Sequence, residues 1–208
     1  MNKFFALFVA AVVGLTGIAR AADAVPVPEA MVRATSKEVM EVLKKESLPG
    51  NEKKLRDLIE AKILPSFDFT RITAQAVGKH WRDASPEQQA ALVREFRTLL
   101  VRTYSTALTA NKVQGIDVKP LKMGDADTDV IVKTEVANGG NQAFPIDYKL
   151  LKVSNNWKVY DVAVDGVSLV TNYRNSFNQT ILKDGLDGLI KALSERNASA
   201  QAVKTTAK

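Results

Sequence analysis

The sequence predicts a single α+β domain in which several helices pack on one face of a four-stranded antiparallel sheet. Three observations carry that expectation. Apolar residues recur three and four apart as far as Leu108, the period falls to two at Gln114-Gly115, and helical spacing returns after Gly166. The four period-two runs are joined by turn clusters too short to hold a crossover helix, which makes consecutive strands antiparallel. With 208 residues there is chain for one sizeable core, and neither an internal repeat nor a domain linker divides it.

The N-terminus stands apart from that domain. Met1-Asn2-Lys3 is a basic start, the stretch from Phe4 to Ala19 is apolar except at Gly14, Thr16 and Gly17, and Ala19-Arg20-Ala21 closes it with small residues flanking one large one. This is the order of a secretory signal peptide cleaved after Ala21. A membrane anchor would need about 20 consecutive apolar residues, more than this run offers. The expected division is 1–21 signal peptide, 22–196 folded domain and 197–208 disordered tail, the last being Ala, Ser, Thr, Gln and Lys with one Val after Asn197. Cleavage removes Lys3 and Arg20 and lowers the formal net charge from +6 to +4. The remaining basic residues occur at most as doublets, Lys44-Lys45 and Lys53-Lys54, which is no nucleic-acid footprint.

An extended lead-in from Ala24 to about Pro28 precedes a first amphipathic helix with Met31, Val32, Val39, Met40, Val42 and Leu43 on one face, closed by Pro49-Gly50. Asn51 caps a second helix carrying Leu55, Leu58, Ile59 and Ile63, which Pro65 stops. Phe67-Asp68-Phe69-Thr70 opens a short third helix that ends at Gly78. Ser85-Pro86-Glu87-Gln88 has a cap, a proline at the first helical position and the glutamine of a capping box. Behind it a long helix carries the stripe Leu92, Phe96, Leu99, Leu100, Tyr104 and Leu108, so it must lie along a large apolar surface. Strands follow near 116–122, 128–137, 143–153 and 157–164. Val130, Val132 and Val136 share a face, as do Phe144, Ile146, Tyr148 and Leu150, and as do Tyr160, Val162 and Val164, with charged residues between them. Trp157 and Val159 break that alternation. Asp165-Gly166-Val167-Ser168 reads as a turn whose serine caps a last helical region with Tyr173, Phe177 and Ile181 before Gly185 and Leu189 and Leu193 after it.

The inventory for chemistry is thin. Zero cysteines exclude disulfides, thiolate metal sites and a cysteine nucleophile, and a single histidine, His80, excludes histidine clusters. Asp147, Asp161 and Asp165 could serve as general acids or bases, but their spacing puts them on the solvated side of the strands. Asp125, Asp127 and Asp129 match the first ligands of a calcium loop, yet Val130 and Val136 stand where it needs Gly and Glu. Gly139-Gly140 lacks the strand-to-helix setting of a phosphate loop. Periodicity alone describes a filled core as well as it describes a cavity between the long helix and the sheet.

Several separated runs narrow the choice: Phe67-Asp68-Phe69-Thr70-Arg71-Ile72, Gly78-Lys79-His80-Trp81-Arg82, the stretch from Glu95 to Tyr104, Trp157-Lys158-Val159-Tyr160-Asp161-Val162, Gly166-Val167-Ser168-Leu169-Val170, and Asn172-Tyr173-Arg174-Asn175-Ser176-Phe177. In this order they resemble the MlaC, or toluene-tolerance, family of periplasmic phospholipid-binding proteins, over roughly Val32 to Asn197. The resemblance implies a fold similar to nuclear transport factor 2, with a pocket that holds the acyl tails of a glycerophospholipid and leaves the headgroup near solvent. It implies no catalytic residue and no cofactor or metal other than the lipid as ligand. It also implies a periplasmic shuttle in the Mla lipid-asymmetry pathway, with transient contacts to the outer-membrane lipoprotein MlaA with its porin and to an inner-membrane ABC complex bearing MlaD.

Two tails of about 15 methylenes each, at ~0.8 kcal/mol per buried CH₂, correspond to about 24 kcal/mol removed from water. A bilayer offers the same, so near-neutral exchange needs only a dry pocket toward the larger end of the usual ~300–1,000 Å³. From the two periodicities, the sheet would line it with Val132, Ile146, Tyr148, Leu150, Tyr160, Val162 and Val164. The long helix would add Phe96, Leu99, Leu100 and Tyr104. Two other classes stay open: a small pocket enzyme, for which Asp161 with His80 is the available acid/base pairing, and a periplasmic chaperone or adaptor with an exposed apolar patch.

Overall fold

The computed structural model describes residues 25–45, 57, 59–110, 113–139 and 143–206, so the signal-peptide region lies outside the described residues. Helix α1 spans Val27–Lys45 and begins one residue before Pro28, which the first turn accepts because its N–H would go unused there. Asn51, Leu55 and Leu58 of the expected second helix also lie outside the described residues. What is described is a π-helical turn, Ile59–Ile63, running into a 3-10 turn, Leu64–Ser66, with Pro65 inside that turn instead of beyond a helix end.

Helix α2, Phe69–Val77, starts where Asp68 accepts a hydrogen bond from the Arg71 amide at 2.9 Å. It stops at Gly78, whose φ of 66° and ψ of −136° suit a residue without a Cβ. Helix α3, Pro86–Ala110, opens on the expected capping box: the Gln88 amide donates to Ser85 Oγ at 3.2 Å and the Ser85 amide to Gln88 Oε1 at 3.0 Å.

The sheet has five strands in the order β1-β2-β3-β4-β5, each antiparallel to the next. They are β1 Val113–Val118, β2 Asp129–Asn138, β3 Phe144–Val153, β4 Asn156–Val164 and β5 Val167–Ser168. The expectation of four strands is corrected by β5, a two-residue strand turned back on β4. Asp165 and Gly166 both have positive φ, 49° and 77°, as a tight two-residue hairpin requires. Strand β1 stops short of the expected Lys122 because Pro120 has no amide to donate.

A register shift in β4 accounts for the broken alternation. Leu150 faces Val159 while Lys149 faces Asp161, which leaves Tyr160 as an extra, bulged residue. Trp157 and Val159 before the bulge and Val162 and Val164 after it therefore share one face of the sheet. Tyr160 is displaced to the other face, where its hydroxyl donates to the Asp129 carboxylate, 3.0 Å from each oxygen.

Helix α4 runs Leu169–Thr206 with a kink at Gly185, whose φ of 73° and ψ of −176° are essentially restricted to glycine. Ser168 Oγ accepts from the Thr171 amide at 3.1 Å, the cap its sequence predicts. Where a disordered tail was expected from Asn197, the helix continues to Thr206. Buried Asn197 anchors the start of this stretch: it donates its side-chain amide to Glu95 O at 3.0 Å and to Glu95 Oε2 at 3.1 Å, and its backbone carbonyl accepts from Arg102.

Two larger cores result, beside a small cluster of Ile59 and Leu64. One joins α2, α3 and α4 around Phe96, whose ring meets Tyr173 and Phe177 edge-on with centroids 4.9 Å away in each case. The other joins Val32 of α1 to Val118, Val130, Val132, Leu150, Trp157 and Val159 of the sheet. Helix α1 is pinned to the end of β1 by charge. Arg33 donates to Glu29 at 2.6 Å and to the Val118 carbonyl at 2.8 Å, and the Leu121 amide donates to Glu29 at 2.8 Å. The Arg33 hydrogen bond, then that from Leu121, holds the Glu29 carboxyl below its ordinary 4.5. Its contribution to stability is therefore complete above the unfolded value and is lost as pH falls through the folded one. Denaturant titrations between about pH 5 and pH 3 should show wild-type stability falling more steeply than that of Glu29→Gln. Parallel slopes would assign the acid sensitivity to other carboxylates.

Candidate functional site

Between the two cores the packing is not complete. A cavity of about 330 Å³ lies there, walled by α1, the turns ahead of α2, α3, the inner sheet face and the start of α4. Helix α1 supplies Met31, Val32, Thr35, Ser36 and Val39, and the turns supply Ile59, Leu64, Ser66 and Phe67. Phe67 and Phe69 stack with centroids 5.7 Å apart and both face this space. Strands β1 to β3 add Ile116, Val136, Phe144, Ile146 and Tyr148.

Six residues assigned to a pocket from periodicity do line this cavity: Leu100, Tyr104, Ile146, Tyr148, Val162 and Val164. Five do not. Phe96 and Leu99 point into the helical core and are 0% and 4% exposed, while Val132 and Leu150 are consumed, at 0% each, in the sheet core against α1. Tyr160 is carried to the outer face by the bulge. Those filled positions explain why the volume sits at the lower end of the ~300–1,000 Å³ range and not toward its upper end. Sequence reasoning missed the α1 wall, although Met31, Val32 and Val39 already formed an apolar face, and it missed the aromatic pair Phe67 and Phe69 at the start of α2.

The wall is aliphatic or aromatic except at Thr35, Ser36, Ser66, Asp161 and the two phenols. Burial pushes the Tyr148 hydroxyl up to about 12, with a hydrogen bond to Thr134 pulling the other way. Burial, then the neighbouring Tyr173, takes Tyr104 to about 12 as well. Both phenols are neutral at physiological pH, so the wall gains no charge from them.

Asp161 departs from its expected solvated place and is 4% exposed. Its Oδ2 accepts from Lys149 Nζ at 3.1 Å and from Ser168 Oγ at 2.7 Å, and its Oδ1 accepts from the Val170 amide at 3.3 Å. It is a staple between β3, β4 and the first turn of α4. His80 is held elsewhere, with Nε2 3.0 Å from Asn178 Oδ1 on α4, and does not line the cavity. The acid/base pairing of Asp161 with His80 is therefore not assembled. No described helix is long and apolar enough to cross a membrane.

A family model described as MlaC protein matches residues 33–195. The chain belongs to the MlaC family. A solved phospholipid-binding protein from Ralstonia solanacearum, in complex with a phospholipid at 1.53 Å resolution, superposes with a TM-score of 0.74 at 38% identity, covering 82% of this chain and 97% of that one. A toluene tolerance protein of Pseudomonas putida, ttg2D, is 28% identical over 163 residues, 77% of this chain and 75% of its own. The MlaC binding protein of the intermembrane phospholipid transport system of Haemophilus influenzae is 26% identical over 144 residues, 68% of this chain and 67% of its own. The MlaC match spans Thr35, Ser36 and Val39 of the cavity-lining α1 face as well as all five strands.

Proposed function

We propose that the chain is a phospholipid carrier that encloses acyl tails in the cavity between its two cores and moves glycerophospholipid between membranes. The observation that carries this reading is the cavity itself, a space of about 330 Å³ whose wall is almost entirely hydrocarbon, in a chain of the MlaC family. The Ralstonia solanacearum relative, in complex with a phospholipid, supports lipid as the occupant. A carrier needs a dry cavity and no turnover machinery, so the reading makes this a binding protein and not an enzyme. The signal-peptide pattern of 1–21 supports export and a periplasmic location. The family supports handover at two membrane complexes, an outer-membrane MlaA-porin assembly and an inner-membrane ABC complex bearing MlaD. Direction then comes from those partners, because a carrier without a nucleotide motif adds no free energy of its own.

Native mass spectrometry of protein purified without detergent from the periplasm tests this. The expected species starts at Ala22 and carries up to one glycerophospholipid per chain. A homogeneous lipid-free mass from lipid-replete cells would remove the carrier reading. An intact Met1 in the membrane fraction would remove the periplasmic one.

A further inference from the structure

Among the described residues six polar side chains are buried, namely Glu29, Ser36, Thr73, Thr134, Asp161 and Asn197. Five are hydrogen-bonded: Glu29 to Arg33 and Leu121, Thr73 to Phe69, Thr134 to Ile146, Asp161 to three partners and Asn197 to Glu95. Ser36, 8% exposed, has no hydrogen-bond partner among the described residues, and it lines the cavity. Helical hydroxyls ordinarily return to the carbonyl four residues back. Thr73, Thr98 and Thr180 do so here, onto Phe69, Arg94 and Ser176, and Ser36 does not. Ser66 is a second cavity hydroxyl without a partner among the described residues. Both serines line the same cavity.

An occupant made only of hydrocarbon would leave a desolvated hydroxyl unpaired, which is unfavourable. The geometry points to a hydrogen-bonding subsite at Ser36 and Ser66 that donates to the ester carbonyls of a diacyl glycerolipid. These carbonyls are the acceptors that accompany acyl tails into an apolar space, and an ether-linked lipid lacks them. The subsite rests on the carrier reading above and adds a chemical preference to it: ester over ether linkage at equal chain length and headgroup. Phosphate oxygens share the acceptor chemistry, and the test separates the two.

The mature protein is equilibrated with vesicles containing equal amounts of dioleoyl phosphatidylcholine and its dialkyl ether analogue, and the bound lipids are quantified by mass spectrometry. Wild type should enrich the diester about three- to tenfold, the size of one or two net hydrogen bonds. Ser36→Ala combined with Ser66→Ala should bring the ratio to one, while Ser36→Thr, which keeps the hydroxyl, should preserve the enrichment. A wild-type ratio of one overturns the proposal, as does an enrichment that survives the double alanine variant. A ratio of one in wild type with equal loss of both lipids in the variant would assign the serines to phosphate and overturn the ester assignment. Uptake of neither lipid by wild type would instead bring down the carrier reading on which the subsite rests.

Discussion

Val162→Arg is expected to give a folded protein that carries no lipid. Val162 lies after the β4 bulge, faces the cavity and stands opposite Tyr148 across the β3–β4 ladder. An arginine there must leave its guanidinium unpaired among aliphatic side chains or fill the space that a tail would occupy, and either costs several kcal/mol. Ile131→Glu is the matched control, because Ile131 is 44% exposed on the outer face and stands opposite Lys149, which can accept the new charge. Circular dichroism must show both variants folded, and native mass spectrometry then reads the lipid. Wild-type lipid content in folded Val162→Arg would mean that the inner face of β4 does not bound the lipid site. Unfolding of Val162→Arg alone would mean that the space behaves as filled core.

Asp161→Ala should be strongly destabilising. The carboxylate is buried and accepts from Lys149, Ser168 and the Val170 amide, so its removal orphans a helix N-terminal amide and a lysine together. Leaving donors such as the Val170 amide and the Ser168 hydroxyl without their acceptor costs about 1–3 kcal/mol each. For a chain of this size that corresponds to a fall in melting temperature of roughly 10 °C. Lys149→Ala, whose side chain is 35% exposed, should cost on the order of 1 kcal/mol. Thermal unfolding followed by circular dichroism separates the two, and a fall of less than about 2 °C in Asp161→Ala would show that water replaces the lost partners without penalty.

Asp161 also marks the boundary of what a sequence can reveal. Local chemistry was legible: Ser85 caps the helix it precedes, Phe67-Asp68-Phe69-Thr70 opens another that Gly78 ends, and the change of period at Gln114-Gly115 places the helix-to-sheet transition. Alternation along β2 and β3 also put Val132, Ile146, Tyr148 and Leu150 correctly on the inner face. It could not say which of them touch a cavity and which touch α1, because that depends on where α1 crosses the sheet, a matter of tertiary packing. Nor could it anticipate Tyr160, since one inserted residue reverses the parity of every position on one side of it. Asp161 and Asn197 read as ordinary polar positions because their burial comes from segments distant in the chain.

Each lateral margin of the sheet has a carbonyl taken by a residue from outside the sheet. Arg33 takes the outward Val118 carbonyl on β1, while on the far side Asp68 donates its amide to the Val159 carbonyl at 2.9 Å and Lys158 reaches the Pro65 carbonyl at 2.5 Å. An uncovered strand is a template for adding another, from a second copy or from an unfolded neighbour. Here Val118 on one margin and Val159 on the other already have their carbonyls taken, so a strand added at either point would first have to displace Arg33 or Asp68.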